Sequence, residues 1–411
     1  MNETVLIHCS GPNRSGLTAA ITTILAGYHA CVLDIGQAVV HESLVLALLI
    51  EIPHGDHLLA LQRALTDKSA ELNLQVTFKP ITPAELQHWV HSQGKDRFII
   101  TILGRAISAN HLAKVSAVIA HHSLTIDRIE RLSDRLSARL ALADPTPNAN
   151  ACVELRASGD ATCEPSMRAA FLALANDLRI DIAFQRESIF RRNRRLFAFD
   201  MDSTLIQGEV IDELAKLAGV APQVVQITES AMRGEIEFQE SFRRRVALLR
   251  GLPEHRVHQL LGQIPLVEGA EQLIATLKLL GYKTAILSGG FTFFARHLQQ
   301  RLGIDYIYAN DLDIEDGKVT GLVKTDIVDG PRKAQLLRQI AAQENISLEQ
   351  VVAVGDGAND LPMLGIAGMG IAFRAKPIVR QTAGHAVSFL GLDSLLYLIG
   401  VRERDLTRNP A

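Results

Sequence analysis

Three short apolar runs, each breaking off into polar or glycine residues, constrain this chain more than any other feature. Leu196-Phe197-Ala198-Phe199 ends in Asp200-Met201-Asp202, and Thr284-Ala285-Ile286-Leu287 ends in Ser288-Gly289-Gly290. Val351-Val352-Ala353-Val354 ends in Gly355-Asp356-Gly357-Ala358-Asn359-Asp360. Continuous apolar runs of this length fit central parallel strands, buried on both faces. The carboxyl ends of such strands open on a shared crevice. The runs therefore predict an α/β domain with a Rossmann-like parallel sheet. A carboxylate pair, a hydroxyl beside glycine amides and an acidic cluster would meet at one edge of it. Alternate strand residues share a side, so Asp200 and Asp202 can face one ligand. Asp-x-Asp alone also fits a helix N-cap with Ser203 and Thr204 behind it; the two partner runs outweigh that reading.

Lys333 stands between the second and third runs, ahead of a helical pattern from Ala334 to Ala342. Asp200-x-Asp202-x-Thr204, Ser288, Lys333 and Gly355-Asp356-Gly357-x-Asn359-Asp360 together resemble the haloacid dehalogenase superfamily over about residues 195–400. The resemblance implies a phosphatase whose nucleophile, Asp200, becomes phosphorylated while Asp202 acts as general acid and base. It implies Mg²⁺ held by Asp200, the backbone carbonyl of Asp202 and Asp356, with Asn359 or Asp360 behind them. Physically, a carboxylate attacking a phosphate dianion needs a hard cation with oxygen ligands. Lys333, Ser288 and the Gly289 amide would stabilise charge on the transferring group.

Nearly ninety residues separate Asp200 from Ser288, mostly helical in pattern and far more than one crossover needs. A helical cap at about 208–268 is expected, able to close over a small substrate. Glu209 opens the helical run Val210 to Leu217, where an acid also suits a helix start for dipole reasons. Arg243, Arg244 and Arg245 read first as solvated charges on an amphipathic helix. The segment Phe238-Gln239-Glu240-Ser241-Phe242-Arg243-Arg244-Arg245-Val246 nevertheless resembles the cap of the superfamily's phosphoserine-hydrolysing members. That resemblance implies that Arg245 grips the substrate carboxylate, Glu209 takes its ammonium, and Met232 and Phe238 shield it, with Asn359 nearby. The same chemistry on another small phosphoester, or transfer to homoserine, stays open.

Upstream, Val5-Leu6-Ile7-His8-Cys9 leads to Gly11 and Phe98-Ile99-Ile100-Thr101-Ile102 leads to Gly104, 93 positions later. The same offset pairs His29 with His122 and Asp34 with Asp127. Helical stretches follow each glycine (Leu17 to Ala26, His111 to Ala120), so each copy reads as an α+β βαββαβ unit. These units resemble the ACT family of amino-acid-sensing domains. Ser10-Gly11-Pro12-Asn13-Arg14-Ser15-Gly16 resembles its ligand loop, with Asn13 beside the Arg where the family often carries Asp. The resemblance implies an effector loop of Gly11, Asn13, Arg14 and Gly16, with Gly104 as the second copy's counterpart, and an amino-acid effector such as L-serine. It also implies a homodimer.

Expected boundaries are 1–85 and 95–185 for the two units and 186–411 for the catalytic domain with its cap. Lys79-Pro80-Ile81-Thr82-Pro83 ends the first unit, Asp144-Pro145-Thr146-Pro147-Asn148 reads as a loop, and Arg191 to Arg195 read as a solvated linker. With 411 residues, 47% hydrophobic, 21% charged and a net charge of −3 from 45 acidic and 42 basic side chains, nothing points to nucleic acid or an acidic membrane. Leu44 to Ile50 is too short to span a bilayer, no leader pattern opens the chain, and the four cysteines show no metal or redox spacing. A reducing cytoplasm fits. A second class of function, an amino-acid-binding regulatory protein with a decayed catalytic core, is opposed by the intact set from Asp200 to Asp356.

Overall fold

Alternating apolar residues from Val5 to Cys9 become the middle of β1 (Glu3–Pro12), with Val5, Ile7 and Cys9 on the buried side. Leu17, Ile21 and Leu25 recur at helical spacing on α1 (Leu17–Gly27) and cover that face, joined by Leu61 and Leu65 of α2 (His57–Glu71). With β2 (Cys31–Val40), β3 (Ser43–Ile52) and β4 (Gln75–Ile81) they form an antiparallel sheet in the order β2-β3-β1-β4. This is the expected βαββαβ unit. It belongs to a compact body, residues 1–95, separate from residues 96–411. The structure, a computed structural model, describes residues 2–53, 57–92, 94–134, 150–160, 164–324 and 326–407. The Asp144 to Asn148 stretch and the Met232 side chain, both singled out in the sequence, lie outside this description.

The second unit opens with the same order of elements. After a connecting helix α3 (Pro83–Ser92), these are β5 (Asp96–Gly104), α4 (Ala109–His121), β6 (Thr125–Arg131), β7 (Ala151–Gly159), α5 (Glu164–Leu178) and β8 (Asp181–Arg186). Its sheet order, β6-β7-β5-β8, repeats that of the first copy. The repeat is offset by 93 only through the first strand. Beyond the first helix the offset is 94: left-handed residues fall at His29 and Ser123, and register breaks at Val32/Asp34 and Ile126/Arg128. His29 and His122, and Asp34 and Asp127, are therefore not structural equivalents. One extra residue in the second copy's helical region moves everything after it.

The catalytic part is a six-stranded parallel sheet in the order β11-β10-β9-β14-β15-β16. Its strands are β9 (Leu196–Phe199), β10 (Lys283–Phe291), β11 (Tyr306–Asn310), β14 (Val351–Gly355), β15 (Met369–Phe373) and β16 (His385–Val387). A two-stranded hairpin, β12 (Leu312–Glu315) with β13 (Lys318–Val323), lies between. The three apolar runs of the sequence are neighbours at the centre, β10-β9-β14. Phe197 and Phe199 pack into one core and Leu196 and Ala198 into the other, so both faces of β9 are covered. The cap comprises α6 (Val210–Ala218), α7 (Ala221–Met232), α8 (Phe238–Ala247) and α9 (Glu254–Gln259), after which α10 (Ala270–Leu279) returns to the sheet.

Three local expectations need correction. β10 does not end at Leu287 but continues to Phe291, with its pairing to β11 interrupted between Leu287 and Phe291, so Ser288 to Gly290 leave the ladder without ending the strand. Lys333 does not precede its helix: α11 (Thr292–Leu302) is followed by α12 (Gly330–Gln343), which already contains it, because Asp329 caps the helix and Pro331 sits in the first turn. The basic run is solvated only at Arg192, Asn193 and Arg195. Arg191 is buried on Glu154 at 2.6 Å, and Arg194 is buried against the carbonyls of Glu349 and Gly368. No helix among the described residues is long and apolar enough to cross a membrane.

Candidate active site

Asp200 follows Phe199, which is paired with Ile286 on one side and Val354 on the other. Its N–H donates to the Val354 carbonyl at 2.9 Å, so the sequence-predicted nucleophile is fixed by the two strands that carry the other motifs. Lys333 Nζ lies 2.9 Å from Asp200 Oδ1 and 2.6 Å from Asp360 Oδ1 and is fully buried. Burial opposes its charge, yet Asp200 and Asp360 outweigh that and hold its pKa above the ordinary value. The cation can therefore be kept in a dry site only because two carboxylates share it.

Asp202 is buried, and its Oδ1 accepts the N–H of Val210 at the start of α6. Burial first, then Glu209 and Asp200, raise its pKa well above the carboxylate range, as a proton donor requires. Ser288 Oγ accepts the Gly290 N–H at 2.9 Å. A side chain at Gly290 would strike the Asp202 carboxylate and Met201, so this position must be glycine for β10 to approach the carboxylate pair so closely.

Carboxylate oxygens of Asp200, Asp356 and Asp360 come within 4.8 Å of one another. These hard oxygen donors suit Mg²⁺. Asp356 has its pKa pushed up to about 8, by burial first and then by Asp200 and Asp360, which is how an acid behaves in a cluster short of positive charge. Asp360 stands geometrically in the cluster, but its Oδ1 takes Lys333 and its Oδ2 the Gly357 N–H at 2.9 Å. Both Asp360 oxygens are thus engaged, which leaves Asp200 and Asp356 as the better-placed side chains for an ion. Asn359 sits in the turn Ala358–Asp360 with its amide over Gly357.

Above this floor, α8 exposes Arg243 and Arg244 and turns Arg245 inward. The Nε of Arg245 is buried without a partner. Burial lowers its pKa against the pull of Glu209 and Asp212. Glu209 holds the N-cap position of α6 without a side-chain capping bond, and burial of its carboxyl first, then the charges of Asp200 and Asp212, raise its pKa. Phe238 rests against Gly289, where an added Cβ would lie 3.2 Å from its ring. Sequence reading missed three residues. Gln239 donates to Asp329 at 2.7 Å, tying α8 to the turn that carries Lys333. Asn310 bridges the Gly289 carbonyl and the Val328 N–H at 2.8 and 2.9 Å, holding the bulged part of β10. Asp329-Gly330-Pro331 carried a readable N-cap signal; Gln239 and Asn310 had none.

The candidate effector positions are split between the two bodies. Gly11 is next to last in β1, where a side chain would meet Asn73 and Leu74, and Gly104 ends β5, where one would meet Ile180. Both close approaches involve the residues just before each copy's last strand. The Asn13 N–H donates to the Glu42 carbonyl at 2.7 Å, Gly16 caps α1 with φ 85°, and Arg14 is exposed.

A central parallel strand ending in a lysine-paired aspartate, with a bulged serine strand and an acidic strand beside it under a helical cap, defines a haloacid dehalogenase-like hydrolase. The family profile for haloacid dehalogenase-like hydrolases matches residues 194–368, and one for the ACT domain matches residues 3–79. The phosphoserine phosphatase of Streptomyces coelicolor is 41% identical over 98% of this chain and 93% of its own length. That of Mycobacterium tuberculosis is 38% identical over 98% and 94%. A crystal structure of a probable phosphoserine phosphatase from Vibrio cholerae superposes with a TM-score of 0.58 at 31% identity, covering 77% of this chain and 90% of that one. The chain belongs to the phosphoserine phosphatase family.

Proposed function

We propose that the chain hydrolyses O-phospho-L-serine to L-serine and phosphate, the closing step of serine biosynthesis, through a phosphoryl group carried on Asp200. The observation that carries this reading is that Arg245, its Nε buried without a hydrogen-bond partner, and Glu209 in the cap both act electrostatically on the carboxylate pair of Asp200 and Asp202, with Lys333 bound to Asp200. The phosphate, carboxylate and ammonium of one small substrate each find an opposite charge. Asp200 Oδ attacks phosphorus while Asp202 gives its proton to the serine oxygen; Asp202 then takes a proton from the water that cleaves the phosphoryl-aspartate. Lys333, the Ser288 hydroxyl and the Gly289 amide hold the phosphoryl oxygens. Phe238, against Gly289, would shield the substrate, and Asn359 would contact it from the turn at 358–360. Mg²⁺, held by Asp200, the Asp202 carbonyl and Asp356, would offset the repulsion between nucleophile and phosphate.

The two βαββαβ units, in proposed domains 1–85 and 95–185 before a catalytic domain 186–411, would make this a regulated cytoplasmic homodimer. Serine would bind at Gly11, Asn13, Arg14 and Gly16, with Gly104 marking the second copy. One assay tests the reading: Mg²⁺-dependent phosphate release from phosphoserine, with and without added serine. Wild type should turn over and Asp200→Asn should lose at least about a thousandfold. Release from another phosphoester but not from phosphoserine overturns the substrate. Silence on a broad panel favours an amino-acid-binding regulator. Serine inhibition that only ever competes with substrate removes the effector loop.

A further inference from the structure

The cap leaves the catalytic sheet through residues 205–207 and returns through 265–267, and these two roots are paired with each other. Ile206 and Leu266 form an antiparallel bridge, the Val267 N–H donates to the Leu205 carbonyl and the Gln207 N–H to the Pro265 carbonyl, each at 2.9 Å. Glu268 comes next, where cap chain becomes core. Its carbonyl accepts the Leu392 N–H at 2.8 Å, and Gly269 follows in a left-handed conformation, φ 79°, at the start of α10. A side chain at Gly269 would strike Asp393, so the backbone here is packed tightly against the turn Leu392–Ser394.

The Glu268 carboxylate is held from two directions. Nη2 of Arg105 donates to both of its oxygens, at 2.6 and 2.8 Å, and Nη2 of Arg374 donates to Oε2 at 2.9 Å. Arg105 directly follows Gly104 at the end of β5 and so belongs to the second βαββαβ unit. Its Nη1 meets Asn150 Oδ1 at 3.4 Å, and Asn150 Nδ2 donates to Asp393 at 2.5 Å. Arg374 follows β15 with φ 45°, a conformation that a non-glycine residue keeps only where its surroundings impose it. The Val387 carbonyl holds its N–H at 2.7 Å, and the Leu390 carbonyl takes its Nη2 at 3.0 Å alongside Glu268. Two residues further on, Lys376 is among the charges acting on Glu209 in the cap. One carboxylate therefore joins the second unit, the root of the cap and the loop that carries Lys376.

An isolated surface ion pair contributes little. This carboxylate instead takes three hydrogen bonds from two guanidiniums, one residue beyond the cap's return root, where a few positions far from the chemistry set how a lid sits. We propose that Glu268, gripped by Arg105 and Arg374, is a positioning residue for catalysis: it fixes the pose of the cap over Asp200, and Arg105 makes that pose depend on the second βαββαβ unit. The inference rests on the phosphoserine reading above, in which the cap brings Glu209 and Arg245 to the substrate.

Steady-state kinetics with phosphoserine tests it, with inorganic phosphate as a competitive inhibitor that engages Lys333 and Ser288 but nothing in the cap. Arg105→Gln should raise KM for phosphoserine by about fivefold or more, the lower end of ordinary coupling between sites. The phosphate inhibition constant should stay where it was. Glu268→Gln should raise KM at least as much, because Arg374 loses its partner too, and adding Arg105→Gln to it should change nothing further. A variant that was only less stable would lose kcat with its unfolded fraction and keep its KM. The two side chains are 30% and 29% exposed, so both variants should fold; should Glu268→Gln not, Arg105→Gln decides alone. An unchanged KM in Arg105→Gln, a phosphate constant rising in step with KM, or additive effects in the double variant overturns the inference while the functional reading stands. A wild type silent on phosphoserine overturns the functional reading, and this inference with it.

Discussion

Asp356 shows how a single residue reports on what its neighbours lack. Its pKa is pushed up to about 8 because burial and the charges of Asp200 and Asp360 disfavour its anion. A group with a raised acid pKa binds more protons folded than unfolded, so its contribution favours folding at low pH and is lost as pH rises. The metal-free protein should lose stability between about pH 4 and 8, at up to about 1.4 kcal/mol per pH unit for one such group. Saturating Mg²⁺ keeps Asp356 ionised and should flatten that slope. Urea unfolding across this range, with and without Mg²⁺, measures both. Identical slopes would mean that Asp356 does not face the ion.

At the scale of elements, the bond from Gln239 to Asp329 joins the cap helix α8 to the first turn of α12, which carries Lys333. Closing the cap and positioning Lys333 thus share one side chain. Gln239→Ala should raise KM a few-fold, about 1 kcal/mol for one hydrogen bond, with kcat and unfolding midpoint nearly unchanged. Steady-state kinetics with phosphoserine reads this, and an unaltered KM would leave the bond a bystander. The helix itself was legible, as were the three central strands, because 3.6-residue periodicity and uninterrupted apolar runs are local signals. Gln239 and Asn310 were not, since their partners stand 90 and about twenty positions away and their own neighbours carry no pattern. The one-residue slip between the βαββαβ copies hid for a similar reason: offset matching sees residue types, whereas left-handed turns at His29 and Ser123 set the true register.

For the whole molecule, the misreading of Arg191 to Arg195 is the instructive one. A cluster of arginines before a buried strand looks like a solvated linker until its partners are known. Arg191 in fact inserts between the second βαββαβ unit and the catalytic core, its Nη2 on Glu154 at 2.6 Å and its Nε on the Leu398 carbonyl at 3.3 Å, with both side chains nearly inaccessible. Arg105 adds a bidentate grip on Glu268 at 2.6 and 2.8 Å across the same division. Residues 96–411 should therefore unfold together. Glu154→Ala, in a strand that contributes nothing to the catalytic set, leaves the Arg191 charge buried and unpaired, a loss of about 3–5 kcal/mol. The midpoint of heat inactivation of phosphatase activity should fall by several degrees, together with the midpoint followed by circular dichroism. Replacing both partners, as Glu154→Leu with Arg191→Met, should recover much of the loss, because two apolar side chains carry no stranded charge. If Glu154→Ala lowers the circular-dichroism midpoint while activity survives to the wild-type temperature, the βαββαβ unit melts on its own and the catalytic core does not depend on it.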